Sequence, residues 1–190
     1  MNNPEDLRPA LKQQADDHLR GFSAAERDAL LIQCWMSHDA RWFAAVAQEC
    51  GVPVANRLNQ IAARAIGKVE AQRILRALSL PPAATRDDYL LAQEIFIALL
   101  GPDLLDYRVS KVGDRAFQVQ VQRCFAYDNV VRAGIAAEYE CGVFARIAGW
   151  LDASSLDYAI SPRLGKCLKA QGRECVFTFS LGRNDDPELQ

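Results

Sequence analysis

Two short segments near the middle of the chain alternate between apolar and polar residues. They cover residues 107–112 and 116–122, and Gly113 and Asp114 lie between them. Alternation with period two is typical of strands that bury one face, and a Gly-Asp pair suits a tight turn. The sequence therefore predicts an antiparallel β-hairpin with one face in water.

Helical patterns precede this hairpin. Ser23 and Glu26 have the spacing of a capping box that begins a helix, and Gly51 is suited to end that helix after Cys50. Pro53 suits the first turn of a second helix, and Thr85 is a suitable cap for a third. The predicted helices cover about residues 24–50, 53–78 and 87–100.

After the hairpin, residues 129–151 have the pattern of one further helix, and residues 175–180 that of a strand paired with residues near 158–160. Strands and helices are segregated, which predicts an α+β fold: N-terminal helices, then hairpin, helix and hairpin with an antiparallel sheet. We expect a polar arm over residues 1–22, a single domain over residues 23–181 and a flexible tail over residues 182–190.

Charge and hydropathy argue against two classes of partner. The 22 Lys and Arg residues are balanced by 24 Asp and Glu residues, so no basic surplus is available to bind nucleic acid. No run approaches the roughly 18–20 apolar residues of a membrane span, and the N-terminus lacks the apolar run of a signal peptide. We therefore expect a cytoplasmic protein with no nucleic-acid or membrane partner.

Six cysteines in 190 residues are the most conspicuous chemical feature of the chain. In a reducing compartment, cysteines serve metal binding, catalysis or plain burial more often than disulfides. Four of them lie in the C-terminal part of the chain. Cys124 ends the hairpin, Cys141 falls in the predicted helix, Cys167 precedes the last strand and Cys175 begins it.

Those four thiols could converge on a metal. Thiolates are soft ligands that suit zinc or an iron–sulfur cluster, and four of them complete a tetrahedral site. The gaps of 17, 26 and 8 positions contain no short chelating pair. Reduced, buried cysteines that act as small hydrophobic side chains are therefore the alternative.

The predicted helix over residues 129–151 adds a carboxylate to this set. On a regular helix Glu138 and Cys141 face the same way, within a stripe of small residues that includes Gly134 and Gly149. Three thiolates with Glu138 or water would leave an open catalytic position on the metal. A nucleophilic Cys141 with Arg146 nearby is a second interpretation.

A second cluster lies on the first long helix, over residues 34–43. Trp35, His38 and Trp42 fall on one helical stripe, and Asp39 lies at its edge. His38 and Asp39 could project into a pocket walled by tryptophans, with His38 as a general base or metal ligand. The alternative is a core helix whose histidine is hydrogen-bonded to the backbone. Asn56 and Asn59 on the next helix could line the same pocket.

The order of these features resembles a group of uncharacterised bacterial and archaeal proteins similar to the L-2-amino-thiazoline-4-carboxylic acid hydrolase family. The resemblance covers about residues 25–180. Its residues are Trp35, His38, Asp39, Trp42, Phe43, Gly51, Asn56, Asn59, Cys124, Tyr139, Cys141, Gly142, Arg146, Gly149, Trp150, Pro162, Cys167, Cys175, Phe177 and Phe179. The segment order also resembles the 4-vinyl reductase and haem-nitric-oxide-binding class of ligand-binding domains. The resemblance implies a cysteine-lined metal or ligand site, and the hydrolase name implies opening of a thiazoline ring.

Our first expectation is a metal-dependent small-molecule hydrolase with zinc among the four C-terminal cysteines. His38, Asp39 and Glu138 would be catalytic, and the ligand would be bound by Trp35, Trp42, Asn59 and Arg146. The alternative is a non-catalytic sensor that holds a small ligand, a metal or an iron–sulfur cluster. A purely structural domain with reduced core cysteines is the third hypothesis, and a homodimer stays open.

Overall fold

The computed structural model describes residues 6–182 and has the predicted α+β architecture. Its helices are α1 (Arg8–Leu19), α2 (Ala24–Cys50), α3 (Val52–Ala77), α4 (Arg86–Leu100), α5 (Phe125–Arg132) and α6 (Gly142–Leu151), with a 3-10 turn at Lys169–Gln171. Its strands are β1 (Leu105–Val112), β2 (Ala116–Cys124), β3 (Asp157–Ser161) and β4 (Cys175–Gly182). Within residues 6–182, none of the helices has the length and apolar character that a membrane span requires. The predicted tail beyond residue 182 lies outside the described residues.

The described residues form two compact units, which divide between Asp39 and Ala40. In the first, α1 buries no residue, and apolar side chains such as Leu11 and Leu31 are exposed. The predicted capping box at the start of α2 is confirmed. The backbone N–H of Ser23 donates to the Glu26 carboxylate at 2.8 Å, and the N–H of Glu26 donates to Ser23 Oγ at 3.2 Å.

The second unit contains an antiparallel sheet of four strands in the order β1-β2-β4-β3. The central strands β2 and β4 bury alternate residues on one face, where the rings of Phe117 and Phe179 stack at 4.8 Å. Val119 pairs with Val109 on one side and with Phe177 on the other. The predicted hairpin, with one buried and one wetter face, is confirmed.

Helices α3 and α6 pack against each other through glycines. A Cβ on Gly149 would overlap the carbonyl oxygen of Arg64, so only glycine permits this approach. Near the same contact the buried Glu70 carboxylate accepts hydrogen bonds from Arg146 Nε at 2.8 Å and Trp150 Nε1 at 3.3 Å. The small residues of α6 therefore serve helix packing.

The prediction of one helix over residues 129–151 is wrong, because the chain leaves the helix after Arg132. Gly134 has φ +71°, and the N–H of Ile135 donates to the Val130 carbonyl at 3.0 Å, which is a C-terminal helix cap. Glu138 lies in the intervening loop and is exposed. The expectation that Glu138 and Cys141 share a helix face is therefore also wrong.

Candidate functional site

Four cysteines from separate segments line a single cavity in the second unit. Cys124 ends β2, Cys141 precedes α6, Cys167 precedes the 3-10 turn and Cys175 begins β4. The empty space here is about 400 Å³, a figure that includes space open to solvent.

The walls between the sulfurs are mainly apolar. They are formed by Leu105, Val121, Ala126, Val143, Phe144, Leu168 and Phe177, with Tyr127, Tyr139 and Lys169 as the polar-tipped members. Lys169 Nζ donates to the Gln122 carbonyl at 2.7 Å and lies 5.8 Å from the centre of the Tyr127 ring. It is the one cationic side chain among the residues that line the cavity, and a cation there favours negative sulfur.

Backbone hydrogen bonds hold two of the cysteine segments side by side. The N–H of Cys141 donates to the Gly165 carbonyl at 2.8 Å, and the N–H of Cys167 donates to the Tyr139 carbonyl at 3.0 Å. Glu140 and Lys166 form an antiparallel bridge between these bonds. Cys141 and Cys167 are therefore placed by a short ladder, although 26 positions separate them in the sequence.

Asn56 on α3 fixes the same loop from the other side. Its side chain is buried, its Nδ2 donates to the Glu138 carbonyl at 2.8 Å, and its Oδ1 accepts from the Glu140 N–H at 3.1 Å. These bonds flank Tyr139 and precede Cys141. Asn56 is therefore a structural clamp for the cysteine loop, a role that the polar pattern of its helix did not indicate.

Two of the sulfurs lie at helix N-termini. Cys124 is the N-cap residue of α5 and Cys141 that of α6. Neither side chain makes a full capping hydrogen bond, but the N–H groups of Tyr127 and Ala126 act on the Cys124 sulfur and that of Phe144 on Cys141. A helix N-terminus favours negative charge and hence a thiolate.

Without a bound cation the thiols hold their protons. Burial, with a smaller contribution from the nearby sulfurs of Cys124, Cys175 and Cys167, raises the pKa of Cys141 to about 12. Burial likewise raises the pKa of Cys175 to about 12, with Lys169 acting in the opposite direction. Burial also raises the pKa of Cys124. At neutral pH these three thiols therefore keep their protons, and a metal ion must displace them.

The four thiols do not yet form a coordination shell. Among the described residues, no group of three or more His, Cys, Asp or Glu side chains is arranged so that it could hold a metal ion. Protonated sulfurs have no attraction that would draw them together, whereas a bound cation supplies one. Metal binding at this cavity would therefore require the sulfurs to lose protons and to move closer.

Tyr139 lies between the cysteines and α6. It is 6% exposed, its ring packs edge-on against Phe43 with centroids 5.8 Å apart, and its Oη accepts a hydrogen bond from the Gly142 N–H at 3.2 Å. Burial raises its pKa above the usual value, and the neighbouring Cys141 adds to this effect. The phenol therefore keeps its proton. Sequence reasoning gave Tyr139 no role, although it stands two residues before Cys141.

The predicted site residues on α2 are not among those that line the cavity. His38 Nδ1 is 3.6 Å from Asp39 Oδ1, and both side chains are more than half exposed on α2. Trp35 is partly buried and Trp42 is exposed. The residues that line the cysteine cavity all fall between positions 105 and 177.

Arg146 and Asn59, which were predicted to bind the ligand, contact neighbouring parts of the fold. The Arg146 guanidinium pairs with Glu70 in the packing of α3 against α6 and does not line the cavity. Asn59 lies beside the start of α6, since a Cβ added to Gly142 would come 2.5 Å from Asn59 Nδ2. Of the predicted ligand-binding residues, Asn59 is therefore the one that neighbours the cysteine loop.

The fold and the cavity define an α+β protein in which a sheet and two short helices enclose four convergent cysteines. The chain belongs to a family of unknown function, DUF6125, whose model matches residues 26–181. The match includes α3 to α6, the cavity and nearly the whole sheet. No curated protein matches the chain.

Proposed function

We propose that this protein is a metal-binding module that holds one zinc ion through Cys124, Cys141, Cys167 and Cys175. The observation that carries the proposal is the convergence of four thiols, from four separate segments, on one cavity. Four thiolates complete the tetrahedral shell that zinc adopts in structural sites. The chain's own residues supply the donors, the backbone ladder that places two of them and the helix N-termini that favour their charge.

The donor set suits a single ion. Four thiolates complete the tetrahedral shell of one zinc or of one iron. An iron–sulfur cluster held by the same four cysteines is the alternative, and metal analysis distinguishes the two.

The competing explanation is that the four thiols are simply buried, but it does not account for their helix N-termini or for the neighbouring cation. A cysteine that acts only as a small hydrophobic side chain needs neither a helix N-terminus nor a neighbouring cation. Here Cys124 and Cys141 occupy the N-cap positions of two helices, and Lys169 acts on Cys175. These features stabilise thiolates, and thiolates are the form that binds metal.

A metal-dependent hydrolase is supported less well than a closed site. Hydrolysis requires a coordination position for water and room for a substrate beside it. The walls of the cavity are mainly apolar, and the carboxylate of Glu138 lies on an exposed loop. A closed centre of four thiolates is therefore the site that the geometry favours.

The first test is elemental analysis with an absorption spectrum, on full-length protein purified without oxygen or chelator. We expect about one zinc per chain and no visible band. Iron, detected together with visible thiolate bands, would mean that the same site holds iron instead of zinc. Protein that contains no metal and takes up neither zinc nor cobalt(II) would overturn the proposal.

Variants of a buried cysteine and of two exposed cysteines make this test more specific. Cys141→Ser should remove the bound metal, whereas Cys34→Ser and Cys50→Ser should retain it, because those two thiols are exposed. Equal metal content in all three variants would contradict the assignment of ligands. Metal-dependent turnover of thiazoline-type substrates that is lost in Cys141→Ser would instead favour the hydrolase.

A further inference from the structure

Tyr139 has a buried hydroxyl that accepts a hydrogen bond but has no partner for its own proton. Its Oη accepts from the Gly142 N–H at 3.2 Å, and within residues 6–182 no acceptor takes the hydroxyl hydrogen. A buried donor left without an acceptor is unfavourable. The same side chain lines the cavity with all four cysteines, so an acceptor there would satisfy it.

The surroundings of Tyr139 hold the phenol in one place. Phe43 packs against the ring, and Asn56 binds the backbone on both sides of the residue. A Cβ on Gly142 would come 3.3 Å from Tyr139 Oη and 2.5 Å from Asn59 Nδ2. Glycine at position 142 therefore allows the phenol to approach the first N–H of α6, which explains the sequence Tyr139-x-Cys141-Gly142.

We propose, on the basis of the metal site proposed above, that Tyr139 is a positioning residue that donates a hydrogen bond to the metal-bound thiolate of Cys141. The Gly142 N–H lies at the N-terminus of α6 and would otherwise lack an intrahelical partner. By donating to Tyr139 Oη it polarises the phenol and makes the O–H a stronger donor. The helix end, the phenol and the sulfur then form one chain of hydrogen bonds.

The physical need for such a donor comes from charge. Four thiolates around a divalent ion leave a net charge of −2 in a largely apolar cavity. Donors to the sulfurs offset that charge, and the groups that surround a metal's ligands commonly change its affinity by about 10–100-fold when removed. Tyr139 is the buried neutral donor with a free proton among the residues that line this cavity.

The test compares the full-length protein with Tyr139→Phe, which removes only the hydroxyl. Both are loaded with cobalt(II), and the metal is titrated away with a competing chelator. We expect affinity to fall by about 10–100-fold and the sulfur-to-cobalt charge-transfer band to move to lower energy, because a thiolate without its hydrogen bond is easier to oxidise. A merely structural role would not move the band.

Tyr107→Phe is the matched control, since its hydroxyl bonds to Glu94 at 2.7 Å on a different surface. It should leave both affinity and spectrum unchanged. Unaltered affinity and an unaltered band in Tyr139→Phe would overturn the inference while leaving the metal site intact. Failure of the wild-type protein to bind cobalt(II) or zinc would overturn both.

A second measurement avoids the variant altogether. Cadmium-113 replaces zinc in the wild-type protein, and the hydroxyl proton of Tyr139 is sought by NMR. We expect a proton protected from exchange that shows coupling to cadmium through the Cys141 sulfur. A rapidly exchanging hydroxyl proton in metal-loaded protein would contradict the proposed hydrogen bond.

Discussion

The cysteine cavity and the aromatic segment of α2 carry similar side chains in opposite settings. Over residues 34–43, thiol, imidazole, carboxylate and indole groups lie within ten consecutive positions, yet His38 and Trp42 are exposed. The cavity draws Cys124 and Cys175 from positions 51 residues apart, and it also includes Cys141 and Cys167.

The difference shows that density of reactive residues along a sequence is a weaker guide to a site than convergence in space. Helix α2 presents its side chains all around one cylinder, so neighbours in sequence point in different directions. The sheet and the two short helices bring element ends together, and the side chains at those ends meet. The same measurement on both regions therefore tests this contrast.

The largest contrast should be in thiol reactivity. Cys34 and Cys50 are exposed, whereas burial raises the pKa of Cys141 to about 12, so Cys141 carries about a thousandfold less thiolate at a given pH than a thiol of pKa near 9. We expect two thiols per chain to react rapidly with an alkylating reagent near neutral pH and the four cavity thiols to react slowly. In metal-free protein the rate at Cys141 should rise about tenfold per pH unit, because its thiolate fraction stays small.

Mass spectrometry of digested protein after timed alkylation measures each position separately. Unfolded protein should react at all six cysteines and serves as the control. Labelling of Cys141 as fast as Cys34 in the folded protein would show that the cavity is open to the reagent and would remove the contrast.

Large-to-small substitutions should give the second-largest difference between the two regions, in the free energy of unfolding. Phe144 is 1% exposed and its ring centre lies 4.0 Å from that of Phe177, so Phe144→Ala should lower the free energy of unfolding by about 3–5 kcal/mol. Leu31 is 67% exposed, and Leu31→Ala should change it by no more than about 0.5 kcal/mol. Urea denaturation of both variants measures these changes. A large loss in Leu31→Ala would mean that this part of α2 is covered in solution, as in a homodimer.

Glycine-to-alanine substitutions give a smaller contrast. Gly149→Ala places a Cβ against the backbone carbonyl of Arg64, and overpacking of this kind lowers stability by about 1–3 kcal/mol. At Gly21 the nearest atom would be an ordinary 3.7 Å away, so Gly21→Ala should be neutral or slightly stabilising. Thermal unfolding of the two variants tests this. Equal stability would contradict the close packing of α3 against α6.

The smallest effect concerns two capping boxes of the same type. Thr85 accepts from the Asp88 N–H at 3.2 Å at the start of α4, which buries Tyr89 and Phe96, so Thr85→Ala should cost about 1 kcal/mol of global stability. Ser23→Ala removes the corresponding bond at the start of α2, where the first residues bury nothing.

Ser23→Ala should therefore leave the global unfolding midpoint unchanged and increase hydrogen exchange only near the start of α2. Native-state hydrogen exchange distinguishes the two responses. A matching loss of global stability in Ser23→Ala would show that residues 24–39 unfold together with the core.

Local signals along the chain predicted most of the fold. The capping residues Ser23 and Thr85, the stop at Gly51 and the period-two hairpin all act within a few residues, and each is confirmed. The exception is Gly134, which we placed on a helical stripe. A glycine continues a helix poorly but ends one well, and a loop follows it here.

Capping, turn and periodicity effects depend on neighbouring residues, and they predicted where most of the helices and strands begin and end. The sequence also offered four C-terminal cysteines as candidates for one site. The tertiary structure adds that these sulfurs share one cavity, that Asn56 clamps their loop and that Glu138 lies on an exposed loop. Those results depend on strand pairing and helix packing between residues tens of positions apart, which no local pattern encodes.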